Sequence, residues 1–198
     1  MVLFGPPGAG KGTQAQLLVD RLKIPHISSG DLFRHHLQNG TPLGLKAADY
    51  MNRGALVPDE LTIDIALEKV MSLNTEEGFI LDGFPRNQFQ ARALEAALQT
   101  KARGLDKVVY IDVPEDELLR RLEGRYICRQ CQAPHSIPAD KPADPELTCE
   151  RCGGELNQRT DDRSEAVQKR IEVYQTETVP TLDFYRELDI LAEIPGVD

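Results

Sequence analysis

The chain has 198 residues, of which 40% are hydrophobic and 28% charged, a balance suited to one globular α/β domain carrying small insertions. Its net charge of −9 argues against an open nucleic-acid-binding face, which is normally basic. No apolar run is long enough to span a membrane and the N-terminus has no signal-peptide pattern, so a cytoplasmic location is expected.

The first predicted element is a short strand, Val2–Phe4, followed by Gly5-Pro6-Pro7-Gly8-Ala9-Gly10-Lys11-Gly12-Thr13 and a helical pattern over Gly12–Lys23. A strand that turns through glycines into a helix with an early lysine is a phosphate-binding loop. Glycines let backbone N–H groups approach phosphate closely, and the helix N-terminus adds partial positive charge. Gly12 follows the lysine and delays the hydroxyl to Thr13, so direct hydroxyl coordination of magnesium right after Lys11 is not expected.

A second strand, His26–Ser28, leads through Ser29-Gly30 into a helix over Asp31–Gln38, stopped by Asn39-Gly40. Asp59–Leu73 is helical after Pro58, with acids in its first turn. The strand Phe79–Leu81 runs into Asp82-Gly83-Phe84-Pro85-Arg86. An acid at a strand end near a phosphate loop can hold magnesium, often through water, and Arg86 can reach a phosphate. Helix Asn87–Lys101, strand Val108–Asp112 and helix Pro114–Leu122 follow.

Gly124 to Asp162 breaks this rhythm, with Pro134, Pro138, Pro142, Pro145 and all four cysteines. Cys128-x-x-Cys131 and Cys149-x-x-Cys152 have the spacing of a zinc ribbon, two knuckles closing a tetrahedral sulfur cage. Two disulfides or bare thiols are the alternative, disfavoured by a cytoplasmic setting. With four sulfurs the metal has no open position, so its role is structural.

From Asp162 to about Leu188 the pattern is helical, with Asp162 and Glu165 resembling a capping pair. Val167, Ile171, Tyr174, Leu182 and Tyr185 lie at helical spacing, and Pro180 should kink or split the helix. A last strand, Ile190–Ile194, closes the series. Five strands alternating with helices imply a parallel sheet covered on both faces, with ligands beyond the strand C-terminal ends. Arginines number 15 against 8 lysines, a composition suited to bidentate phosphate contacts.

Taken together, the loop Gly5–Thr13, Ser28–Arg34, Gly54-x-Leu56-Val57-Pro58, Asp82–Arg86, Arg121-x-x-Gly124-Arg125 and Arg159-x-Asp161-Asp162 resemble the adenylate kinase family, in order and spacing along nearly the whole chain. The cysteine-bearing insertion is similar to the long lid of bacterial-type members. The resemblance implies a core (1–27, 58–123 and 163–198), an AMP-binding segment (28–57) and a lid (124–162). It implies reversible phosphoryl transfer from MgATP to AMP, giving two ADP, with Zn2+ in the lid and Mg2+ travelling with ATP.

By family position, the resemblance assigns Gly8, Ala9, Gly10, Lys11, Gly12, Thr13, Arg121, Arg125 and His135 to ATP. It assigns Ser29, Arg34, Leu56, Val57, Gly83, Phe84, Pro85, Arg86, Gln90, Arg159 and Arg170 to AMP. Lys11, Asp82, Arg86, Arg125, Arg159 and Arg170 form the catalytic set, with Asp161 and Asp162 orienting arginines or the lid hinge. His135 stands where some lids carry an aromatic, and it is expected to stack on adenine. His26, His35 and His36 are expected to be structural or superficial. Many members have a helix after the last strand, which leaves adenine contacts near Gly196–Asp198 open. The expected partners are ATP, AMP and ADP, with no nucleic acid or membrane, and the expected state is a monomer. Competing readings are a kinase for UMP and CMP, a GTP-using variant, a phosphate-loop switch, and a zinc-ribbon nucleic-acid binder. The absence of an Asn-Lys-x-Asp motif and the acidic charge speak against the last two.

Overall fold

A computed structural model of the chain describes residues 1–74, 78–131, 133–137, 148–162 and 164–197. Pro138, Pro142, Pro145 and Asp198 lie outside the described residues.

Five short strands form one parallel sheet: β1 (Val2–Phe4), β2 (His26–Ser28), β3 (Ile80–Asp82), β4 (Val108–Asp112) and, because three lid strands intervene, β8 (Leu191–Pro195). Their order is β2-β3-β1-β4-β8. Every pairing is parallel, with Leu3 opposite both Asp82 and Val109. β1 is central, so the glycine loop leaves the sheet where strands flank it on both sides. Two strands start and end one residue later than their sequence suggests. Asp82 joins β3 because it still pairs with Leu3 and Ser28. Pro195 joins β8 opposite Asp112, whose carbonyl then accepts from the Gly196 N–H at 2.7 Å.

Helices cover both faces: α1 (Lys11–Leu22), α2 (Ser29–Gln38), α3 (Pro42–Asn52), α4 (Asp59–Met71), α5 (Gln88–Gln99), α6 (Glu115–Glu123), α7 (Ser164–Val173) and α8 (Val179–Glu187). The main core joins Val2, Phe4, Leu81 and Val108 of the strands to Val70, Leu94, Leu98, Leu182 and Tyr185 of the helices. The near-continuous apolar character of β1 and β3 follows from this two-sided burial.

α3 was not anticipated, although its signals are present. Thr41 Oγ1 accepts the Gly44 N–H at 3.1 Å and Pro42 occupies the first turn, a conventional N-terminal pairing. The apolar face expected between Asp162 and Leu188 is buried throughout, from Val167 to Tyr185. Its split is also found. Tyr174–Thr178 widens into a π-helical turn just ahead of Pro180, which has no N–H to continue the regular ladder. Asp162, expected to cap this helix with Glu165, turns its carboxylate to Arg125 and Arg170.

The insertion folds as a separate antiparallel sheet, ordered β6-β5-β7, from β5 (Arg125–Cys128), β6 (Pro134–Ser136) and β7 (Leu156–Gln158).

Candidate active site and metal centre

The glycine loop turns through Gly8 (φ +88°) and Gly10 (φ +90°) before α1 begins at Lys11. A Cβ on Gly8 would stand 3.1 Å from both the Leu118 carbonyl and Leu122, so a side chain fits neither the conformation nor the space. Lys11 folds back over the loop, donating from Nζ to the carbonyls of Gly5 (2.7 Å) and Pro6 (3.1 Å). Burial pushes its pKa down to about 8, reinforced by Arg86, Arg170 and Arg125 and opposed by Asp82.

The loop opens on a cleft of about 1250 Å³, larger than the few hundred Å³ of a typical single-ligand pocket. It is lined by Gly8 to Thr13, Ser29, Arg34, Leu56, Val57, Asp82, Gly83, Pro85, Arg86, Gln90, Arg121, Arg125, His135, Arg159 and Arg170. Phe84 is the exception among the expected residues. It is 1% exposed and packs into the main core behind the cleft, so its apolar ring supports the loop from beneath.

The seven cationic side chains of this lining come from seven different elements or loops, Arg120 and Arg151 also border the cleft, and all converge in a protein of net charge −9. Burial lowers Arg86 and Arg159 to about 10 each, with Arg170 the next cause for Arg86 and Arg34 for Arg159. Arg34 and Arg159 each leave a buried Nε without a hydrogen-bond partner. Buried donors of this kind call for an anion with several acceptor oxygens.

Asp162 is the internal counterion. Its carboxylate receives Arg125 through Nε at 2.7 Å and through Nη2, and Arg170 through Nη1 at 2.9 Å. Arg170 also donates to the Asp161 carbonyl at 2.7 Å. One buried acid thus ties the lid strand β5 to the core helix α7. Arg121 is held between Glu117 (2.6 Å) and the Gly196 carbonyl (2.9 Å).

On the opposite wall, the Gly83 carbonyl accepts from Ser29 Oγ at 2.6 Å and from Arg86 Nε at 2.7 Å. Thr178 of the π turn donates to the Arg86 carbonyl at 2.8 Å, so the widened turn braces the loop that carries Arg86. Nothing in the sequence marked Thr178. His26 was also missed, being read as structural. It lines the cleft with Nε2 buried and unpartnered, 3.8 Å from Asp82 Oδ2. Burial raises the Asp82 pKa, but the neighbouring His26, Lys11 and Arg86 outweigh it and hold the carboxyl below its ordinary value. An ionised acid beside Lys11 at a strand end suits a hydrated cation carried in with phosphate.

The four cysteine sulfurs lie within 4.8 Å of one another. Cys128 and Cys152 are 3.4 Å apart and Cys131 and Cys149 3.6 Å. A tetrahedron with ~2.3 Å metal–sulfur bonds has edges of about 3.8 Å, so the donor set fits zinc. Backbone N–H groups of Cys131 and Gln130 point at Cys128 Sγ at 3.4 and 3.3 Å and draw its pKa down to about 6. A Cβ on Gly154 would stand 2.9 Å from Cys128 Sγ, so only glycine leaves room for the sulfur. His135, expected on adenine, has Nε2 3.3 Å from Cys149 Sγ, although the residue also borders the cleft.

The comparisons with known proteins agree with this geometry. The sequence matches the adenylate kinase family model over residues 3–190. It is 51% identical over 195 residues to the adenylate kinase of Desulfitobacterium hafniense, covering 98% of this chain and 89% of that protein. It is 48% identical to the adenylate kinase of Methanocella arvoryzae, over 98% of this chain and 90% of the relative, and 48% identical to that of Moorella thermoacetica, over 99% and 90%. On the family match and on identities of this size over nearly its whole length, the chain belongs to the adenylate kinase family.

Proposed function

We propose that the cleft transfers the γ-phosphoryl group of MgATP reversibly to AMP, giving two ADP. The observation that carries this reading is the convergence of Lys11 with Arg34, Arg86, Arg125, Arg159 and Arg170 on one cleft large enough for two nucleotides. An AMP phosphate oxygen is already anionic at neutral pH, so it attacks the γ-phosphorus without a protein base. The new P–O bond forms as the bond from the γ-phosphorus to the bridging oxygen breaks, and that oxygen leaves on ADP. The protein supplies alignment and charge compensation.

In this reading the loop amides from Gly8 to Thr13 and Lys11 hold the ATP phosphates. Arg34 and Arg86 hold the AMP phosphate. Arg125, Arg159 and Arg170 surround the group in transfer, and Arg121 contacts ATP. Ser29, Leu56, Val57 and Gln90 face the AMP nucleoside. Magnesium, when bound with ATP, neutralises charge on the phosphate oxygens, and Asp82 orders its waters. The four cysteines would hold a structural zinc that stiffens the lid, and lid closure over the site would exclude water. A cytoplasmic monomer is part of the same proposal; no described helix is long and apolar enough to cross a membrane.

The test is a coupled ADP-release assay with ATP and a panel of AMP, CMP, UMP and GMP. Turnover should favour AMP by at least about a hundredfold in kcat/KM. Comparable turnover with UMP would defeat the assignment.

A further inference from the structure

Gln90 is 1% exposed yet borders the cleft, and its carboxamide is held at both ends. Its Oε1 accepts the backbone N–H of Arg86 at 2.8 Å. Its Nε2 donates to Asp59 Oδ1 at 2.8 Å. The same Asp59 oxygen accepts Asn87 Nδ2 at 2.9 Å, and Asn87 Oδ1 accepts the Gln90 backbone N–H at 2.9 Å. Asp59 opens α4 after Pro58 and does not itself line the cleft.

The direction of every bond in this ring is set by groups that work one way only. A backbone N–H only donates, and a carboxylate only accepts. If the Gln90 amide flipped, its NH2 would face the Arg86 N–H and its oxygen would face the Asp59 carboxylate. Two hydrogen bonds would become two repulsions. Asn87 cannot flip either, for the same reasons at its own two ends.

The consequence concerns the base. An unconstrained carboxamide reads two opposite patterns by turning over. It pairs with adenine, whose N6 amino donor lies beside an acceptor nitrogen. Turned over, it pairs equally well with guanine or hypoxanthine, which present an O6 acceptor beside an N1–H donor. After its bonds to Arg86 and Asp59, Gln90 keeps one lone pair on Oε1 and one hydrogen on Nε2, in a fixed order.

We propose that Asp59 is a positioning residue for acceptor-base specificity: it clamps the Gln90 carboxamide in the single orientation that reads a 6-amino purine monophosphate and rejects a 6-oxo one. The proposal rests on the reading above that the AMP base lies against Gln90.

The test compares the full-length wild type with the near-isosteric Asp59→Asn. An asparagine side chain can present its NH2 as well as its oxygen there, so the Asp59 half of the penalty on the Gln90 flip is lost and only the Arg86 N–H still opposes it. With saturating MgATP, the ratio of kcat/KM for AMP to that for IMP should fall by about tenfold, the size of one neutral hydrogen bond. The change should come from a raised KM for AMP and a gain of IMP turnover, with kcat for AMP nearly unchanged. A merely structural role would lower thermal stability and leave the ratio alone, and an AMP-to-IMP ratio moved by less than twofold overturns the proposal. The wild type gives a check that needs no folded variant. One Gln90 Nε2 hydrogen is bound to Asp59, so in an isotope-labelled NMR spectrum of the free protein its exchange should be slowed by about tenfold or more relative to an exposed side-chain amide. Unprotected Gln90 amide protons would equally overturn the clamp. The underlying reading fails separately: Gln90→Ala with unchanged KM for AMP removes the base from Gln90 altogether. A Gln90→Ala defect with an unmoved Asp59→Asn ratio rejects only the clamp.

Discussion

Lys11 is protonated or not depending on what surrounds it, and this gives the residue two opposed pH dependences. Burial holds its folded-state pKa near 8, below the ordinary 10.5 of an exposed lysine. Between those values the unfolded chain carries the proton and the folded one does not, so the lysine's contribution to stability rises with pH across that window. Phosphate binding has the reverse need, because only the ammonium form attracts it. In the free enzyme kcat/KM for MgATP should therefore fall as pH rises through about 8. Bound phosphate stabilises the ammonium, so kcat should stay level to higher pH; the profile measured at saturating AMP checks both limbs. Replacing the lysine removes the charge at every pH. Lys11→Met should lower kcat by at least about a thousandfold while the circular dichroism and melting curve stay close to wild type. Near-normal turnover would overturn its assignment to the ATP phosphates.

At the scale of elements, the arginines are placed by partners that belong to different segments. β5 supplies Arg125, α7 supplies Arg170, and both lean on Asp162 in the turn Thr160–Asp162 between lid and core. With its carboxylate fully enclosed, Asp162 is worth more as a partner than an exposed acid. Removing it leaves the mostly buried Arg125 guanidinium without its counterion beside Arg170, which keeps its 3.2 Å contact with the Asp161 carboxylate. Asp162→Ala should cost about 3 kcal/mol, roughly 6–12 °C in melting temperature for a chain of this size. Urea unfolding measures it; a loss under about 1 kcal/mol would show that the arginines find other partners. This arrangement was only half legible in the sequence. The glycine loop, the strands and the two Cys-x-x-Cys knuckles announce themselves because their residue types are demanded locally, by φ, by apolar runs and by metal spacing. Asp162 carried two readings, a helix cap by its own position and an orienter of arginines by the resemblance, since a cap and an arginine counterion use the same residue type in the same place. Thr178, His26 and Asp59 carry no local signal at all, because each acts on a residue far away in the chain. α3 was missed for another reason: its Thr-Pro start is a real signal, but it lay inside a stretch otherwise read through its binding motifs.

The molecule as a whole divides its cohesion unequally. Among the described residues, the main core on the parallel sheet joins fifteen buried side chains. In the lid, the buried hydrophobic residues among those described are Ile127, Cys128 and Cys149. Burying one isoleucine contributes about 1.5–3 kcal/mol, while each ordered backbone residue costs about 1–2 kcal/mol. The described residues give these three short strands little apolar burial, so under the proposed reading a metal on the four sulfurs supplies most of the lid's cohesion. Metal analysis of the purified protein should then find close to one zinc per chain. Cys128→Ala should release it and make the lid susceptible to proteolysis within residues 124–162, at temperatures where the core helices keep their circular dichroism. Turnover in the cold should fall less than thermal stability does, because Asp162 ties Arg125 to Arg170 of the core helix α7 without help from the metal. A zinc content below ~0.2 per chain in wild type, or unchanged melting in Cys128→Ala, would mean that the knuckles hold together without metal.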